Sequence, residues 1–288
     1  AVSAIESVIG STDTADHVTL STHGNLSVSS VESVTGSGNT GSSGDVLTLL
    51  DGTALSVAGV ASVIGSSGTA DVVTQTTQDT TLAVSAVETV VGAGGSADAL
   101  QLLVGGAIAV SDVDRVLGSN AADVVTMLDN GTLEVSAVDT VIGASGADEL
   151  RLLGAGAVTV SDIESVRGST GTDVLTLLTG AAITVSGVET VIGSTDVTDA
   201  VTLANAGTIA VSGVETVTGA GGTADTVRLL ATGTLAVSDI DSIIGSTGAD
   251  TLALLADSNV AVSTVETVLG SSGTDVVHLL TSAALSLS

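Results

Sequence analysis

V-S-D-I-E-S-V-R-G-S-T-G-T-D-V-L-T-L-L, residues 160–178, is a phrase that this chain writes eleven times with small variations. The copies open at Val2, Val28, Val57, Val84, Val110, Val135, Val160, Val185, Val211, Val237 and Val262, and a twelfth begins at Leu287. Successive openings lie 25 to 29 residues apart. A fixed period of this size marks a solenoid or array, in which one repeat cannot bury its apolar face alone and each packs on its neighbours. The phase never breaks, so residues 1–288 read as a single continuous array, ragged only near Ser37–Ser43 and Gln75–Thr81. The first copy starts at the second residue and the last stops one phrase in, which suggests a fragment of a longer array.

Within the phrase, apolar residues alternate as they do along strands. Leu26, Leu55, Leu82, Ile108 and their equivalents precede the opening valine by two residues, and the residue between them varies freely (Ser27, Ala83, Glu134, Thr159). Inward Leu and Val with a tolerant residue between is the period-2 pattern of a half-buried strand. The spacing then lengthens to three, as in Val185, Val188 and Val191, which fits strands joined by a corner. The third apolar stretch, D-x-V-T-L, carries Val18, Leu47, Val73 and Leu100 inward, while Thr48, Gln101, Arg151, Thr176, Arg228 and His278 follow them on the solvent side. The expectation is an all-β, parallel β-solenoid (β-helix or β-roll-like) of about eleven coils of 25–29 residues. Each coil would hold three short strands, each stacked on its own equivalent one turn away. Helical repeats use longer periods and Lys-, Glu- and Leu-rich sequences; this chain is rich in Val and Thr and has no Lys.

Composition narrows the reading. The chain has no Phe, Tyr, Trp, Pro or Cys, so its core is aliphatic and has no disulfide staple. The net charge is −28, from 32 acids against Arg115, Arg151, Arg167 and Arg228. Such a surface repels nucleic acid and anionic membrane, and no segment reads as a membrane span or signal peptide.

The acids form two columns. One aspartate precedes the third strand of every repeat: Asp16, Asp45, Asp71, Asp98, Asp123, Asp148, Asp173, Asp199, Asp225, Asp250 and Asp275. A second acid sits in the middle stretch of ten repeats (Glu6, Glu32, Glu88, Asp114, Asp139, Glu164, Glu189, Glu215, Asp241 and Glu266), with Ala61 the exception. Like charges stacked in register repel, so something must offset the first column. The loops before it, such as G-S-T-G-T-D-V-L-T (168–176) and G-S-T-G-A-D-T-L-A (245–253), resemble the RTX, or haemolysin-type, calcium-binding nonapeptide. The first Gly of that motif is present in all eleven loops; its second Gly is Ser or Ala in every copy.

The resemblance implies calcium held between consecutive loops by aspartate carboxylates and backbone carbonyls, a hard-oxygen shell of the kind Ca²⁺ requires. It places the best sites at Asp123 with Asp148, Asp148 with Asp173, and Asp250 with Asp275, with Asp16, Asp71, Asp98, Asp199 and Asp225 as further ligands. The longer loop ending at Asp45 would bind weakly or not at all. The competing account needs no metal: an aspartate after a Gly-rich stretch hydrogen-bonds its own turn.

No nucleophile–base arrangement, P-loop or H-E-x-x-H motif is present, and His17, His23 and His278 fall at unrelated phases. The expected function is structural and non-enzymatic: a stiff, acidic, calcium-stabilised segment of a secreted bacterial surface fibre, S-layer-like coat or adhesin stalk. Its partners would be Ca²⁺ and further copies stacked end to end. The alternatives are an adhesive module docking a partner on the acidic face, and an ice-binding solenoid using the column Thr19, Thr48, Thr74, Thr126, Thr176 and Thr202.

Overall fold

A computed structural model describes residues 5–12, 16–38, 44–52, 54–67, 70–95, 97–195, 198–222, 224–281 and 284–288. The chain divides into two compact units, Ala1–Gly146 and Ala147–Ser288. Both are built from short parallel strands, 33 among the described residues. Among the described residues no helix is long and apolar enough to cross a membrane.

Among the described residues the second to eleventh repeats each supply three strands, as expected. In the second unit one repeat opens with Ala182–Ser186, continues with a middle strand, Thr190–Ile192, and closes with Ala200–Leu203. Their partners differ from the expectation. The opening strand pairs with the closing strand Ala200–Leu203, which pairs with the next middle strand, Thr216–Thr218, which pairs with the next opening strand, Thr234–Ser238. On the other side, middle strand Thr190–Ile192 pairs with opening strand Thr208–Ser212, then closing strand Thr226–Leu229, then middle strand Ser242–Ile244. Successive strands therefore alternate between two parallel sheets. The first unit follows the same rule, for example Thr81–Ser85 with Ala99–Leu102, then Arg115–Leu117, then Thr132–Ser136.

A turn thus contains two strands and a repeat contains three, so two repeats make three turns. The eleven coils of three strands are corrected to about 15 turns of two, and no strand in these ladders stacks on its own equivalent. The physical reason is the core. A three-sided coil must fill a central space from three directions, whereas two sheets about 10 Å apart need only two layers of aliphatic side chains. All three strand types offer inward Val, Leu or Ile, so a ladder of non-equivalent strands stays chemically continuous: Leu235 faces Leu252, and Leu252 faces Val268. These residues are buried, as are Val166 and Leu177, while the residues between them remain partly exposed. The threonine column read from the repeat dissolves for the same reason. Thr176 lies between Thr159 and Ile192 in one sheet, and Thr202 between Thr184 and Thr218 in the other.

Three kinds of connector join the strands. A glycine–aspartate loop runs from middle to closing strand, as in Gly245–Asp250. A leucine turn such as Leu230–Gly233 runs from closing to opening strand. A three-residue left-handed corner runs from opening to middle strand, as in Asp239–Asp241. Three connector kinds distributed over two edges recur on each edge every third turn, in the order leucine turn, glycine–aspartate loop, left-handed corner. The corner is left-handed in the literal backbone sense: Ser30, Ala86, Asp112, Ala137, Asp162, Asp239 and Thr264 have φ of 51° to 56°, and Gly59, Gly187 and Gly213 take the same place with φ of 60° to 63°. This is the extra residue that stretched the apolar spacing to three.

Candidate functional site: the aspartate latch

Asp225 shows the unit of construction. Its Oδ2 accepts the N–H of Ala220, the second residue of its own loop, at 2.8 Å. Its Oδ1 accepts the N–H of Gly207, in the leucine turn one turn earlier, at 3.1 Å. Its own N–H donates to Oδ2 of Asp241, in the corner one turn later, at 2.8 Å. Its carbonyl accepts the N–H groups of Asp241 and Ser242 at 3.2 and 3.0 Å. One residue ties three consecutive turns of one edge, and it does so because the three connector kinds follow one another there.

The arrangement repeats with little variation. Asp173 takes N–H groups of Ser169 at 2.6 Å and Gly156 at 3.2 Å and donates to Glu189 at 2.8 Å. Asp250 does the same with Ser246, Gly233 and Glu266 at 2.6, 3.1 and 2.8 Å, and Asp199 with Ser194, Ala181 and Glu215 at 2.7, 3.0 and 2.9 Å. In the first unit Asp71, Asp98 and Asp123 hold Ser66, Ala93 and Ser119 and donate to Glu88, Asp114 and Asp139. Asp148 donates to Glu164 at 2.7 Å, and Asp16 to Glu32 at 2.9 Å. Asp275, in the last glycine–aspartate loop, accepts from Ser271 at 2.7 Å and Ser258 at 3.1 Å. From Asp45 to Asp250 the aspartates are 0–2% exposed. The long loop makes no exception: Asp45 still accepts from Ser37 at 2.6 Å and Gly24 at 3.1 Å. Its N–H meets no carboxylate at the corner, because Ala61 stands where the other repeats have an acid.

The first glycine of each loop has a steric cause. A Cβ on Gly118 would overlap the carbonyl oxygen of Ala137, and one on Gly193 that of Gly213. Those carbonyls belong to the left-handed corner residues one turn on, and the aspartate Oδ2 crowds the same space from the other side, within 2.8 Å of each added carbon. The loop's glycine, its aspartate and the next turn's corner are one interlocked device.

In this structure Asp173, Asp199, Asp225 and Asp250 each accept two backbone N–H groups, one on each carboxylate oxygen. Where the motif has its second glycine, Ser169, Ser194 and Ser246 place hydroxyls inside the loop, donating to the aspartate at 2.9 Å. Ser169 and Ser246 also accept from the loop's own Gly171 and Gly248, at 3.1 and 3.2 Å. Within the second unit consecutive aspartates are separated: Asp148 and Asp173 lead strands of opposite sheets, as do Asp250 and Asp275. Among the described residues no group of three or more His, Asp or Glu side chains is placed to hold a metal ion.

The Asp98 latch also lacks one partner. The Oδ1 of Asp98 is buried without a hydrogen-bond partner. The leucine turn before it is replaced by the inserted Thr76–Thr80 segment, where the Gln75 amide caps the carbonyls of Thr77 and Thr80 at 3.4 and 3.1 Å. His17 pairs with Ser33 at 2.6 Å, and His23 pairs at 2.6 Å with the hydroxyl of Ser37, itself a donor to Asp45. No family model matches this chain, and no curated protein or solved structure matches it.

Proposed function

We propose that this chain is a structural, non-enzymatic repeat segment of a secreted bacterial surface protein, a stiff spacer of the kind that builds a fibre, coat or adhesin stalk. The observation that carries this reading is the use to which the repeated polar residues are put. Both acidic columns are fastened to backbone: the aspartates close loops and bind the preceding turn, and the middle acids reach back to accept the aspartates' own N–H groups. A residue pattern kept for stacking turn on turn serves mechanical continuity. The resemblance to large secreted repeat proteins supports the extracellular setting, and the absence of cysteine from the sequence is compatible with it. In this reading stiffness comes from the protein's own hydrogen bonds.

Single-molecule stretching of the full chain tests the proposal. The expected trace resists and then releases in cooperative steps, with the force lowered in Asp173→Ala. Extension as a compliant coil at low force, in the wild-type chain, would overturn the structural role. Specific capture of a soluble ligand, equal in wild type and Asp173→Ala, would favour the adhesive alternative.

A further inference from the structure

The charges of this protein are sorted by position. Apart from Asp13 and Asp196, which lie outside the described residues, every acid except Glu134 and Glu149 sits in a connector or at the buried first position of a strand. Glu134 is paired with Arg115 at 2.7 Å and Glu149 with Arg151 at 2.8 Å. All four arginines project from strands. The edges are therefore acidic and the broad faces are close to neutral.

In the second unit one face is uncharged over six successive strands, from Ala182–Ser186 to Thr267–Leu269. The strand register places Ala182, Ala200, Thr216, Ala236, Ala253 and Leu269 in one outward column along its middle. Hydroxyl columns flank it, Thr184 beside Thr202 and Thr218 on one side and Thr234 beside Thr251 and Thr267 on the other. The face carries outward Ala, Ser and Thr side chains, with Leu269 at its last strand, and no charged group.

We infer that this face docks the same face of a second copy of the chain, giving lateral association. A cationic partner would be drawn to the edges instead. The surface that matches an uncharged, small-residue sheet with a repeat of about 4.8 Å is another such sheet. Six strands at about 4.8 Å by up to five residues at about 3.3 Å make a face of about 29 by 16 Å, so two copies bury on the order of 1,000 Å², the lower bound of a specific interface. The contact is therefore weak and reversible for one pair. Its electrostatic opponent is the acidic edges, which lie on the order of 20 Å apart when two-sheet layers stack. That distance is within the Debye length of about 30 Å at 10 mM salt and beyond the 8 Å or so at 150 mM. Association strengthens as salt rises, the reverse of an ion-paired interface.

The contact deepens the structural reading and rests on it, and the two fail separately. Analytical ultracentrifugation of the full chain at low and physiological salt is the test, with Ala236→Glu and Thr218→Glu on this face and Ala261→Glu on the opposite sheet, and a melting curve for each variant. The expected result is a mass that rises with protein concentration and with salt for the wild type and Ala261→Glu. Both face variants should stay monomeric to at least roughly tenfold higher concentration, as an unpaired buried charge requires, with unchanged melting temperatures. A wild-type monomer at every salt concentration, or loss of association equally in Ala261→Glu, would overturn the contact. If that monomer still resists stretching, the structural role stands without it.

Discussion

A buried carboxylate is costly unless its lone pairs are all engaged, and Asp225 meets that condition with N–H groups from its own loop and the turn before. Asp225→Ala strands both donors in a buried edge, and at about 1–3 kcal/mol for each lost partner the expected loss is about 2–5 kcal/mol in urea unfolding. Asp225→Asn keeps the shape but turns an NH₂ toward a donor, and should lose about 1–3 kcal/mol. The opposite experiment is available at Ala61, where the cap is missing. Ala61→Glu offers the N–H of Asp45 a carboxylate and should gain about 0.5–1.5 kcal/mol. Glycine contrasts are sharper still. Gly118→Ala drives a methyl into the Ala137 carbonyl and should cost several kcal/mol, whereas Gly156, which has nothing within 4 Å of an added carbon, should accept Ala with little change. Failure of Gly118→Ala to destabilise would contradict the interlock.

At the scale of the strand and its corner, much was legible. The inward columns, the tolerant solvent positions and the corner after V-S could all be read from apolar spacing, because one exposed face forces period 2. Val166→Asp should accordingly cost several kcal/mol, and Thr176→Arg almost nothing, as thermal melts would show. The left-handed conformation of the corner was not legible, since its residue is variously Ser, Ala, Asp, Thr or Gly. Gly59, Gly187 and Gly213 were the available signal. An Ala there bears the strain of a left-handed backbone, about 1 kcal/mol, so Ala137→Gly should stabilise by up to that amount despite glycine's larger unfolded entropy. The partner of each strand was hidden for a reason of chemistry: opening, middle and closing strands present the same aliphatic surface inward, so the sequence contains nothing that distinguishes a three-strand coil from a two-strand one.

For the whole molecule, that ambiguity decides what the aspartates do. Stacked on their own equivalents they would form one continuous like-charged ladder in need of a counter-ion. With one and a half turns to a repeat, they alternate between edges and stand three turns apart on each, roughly 14 Å at about 4.8 Å per turn. Each is enclosed by backbone donors instead. Their position in every repeat was plain from the sequence; their partners depended on the turn length, which was not. The central claim is that these latches are made by the protein alone. Calorimetric melting of the full chain in a calcium chelator and in millimolar Ca²⁺ tests it directly. The account predicts the same melting temperature in both, because a ligand stabilises only a state that binds it. A lower melting temperature in the chelator, restored by Ca²⁺, would contradict it.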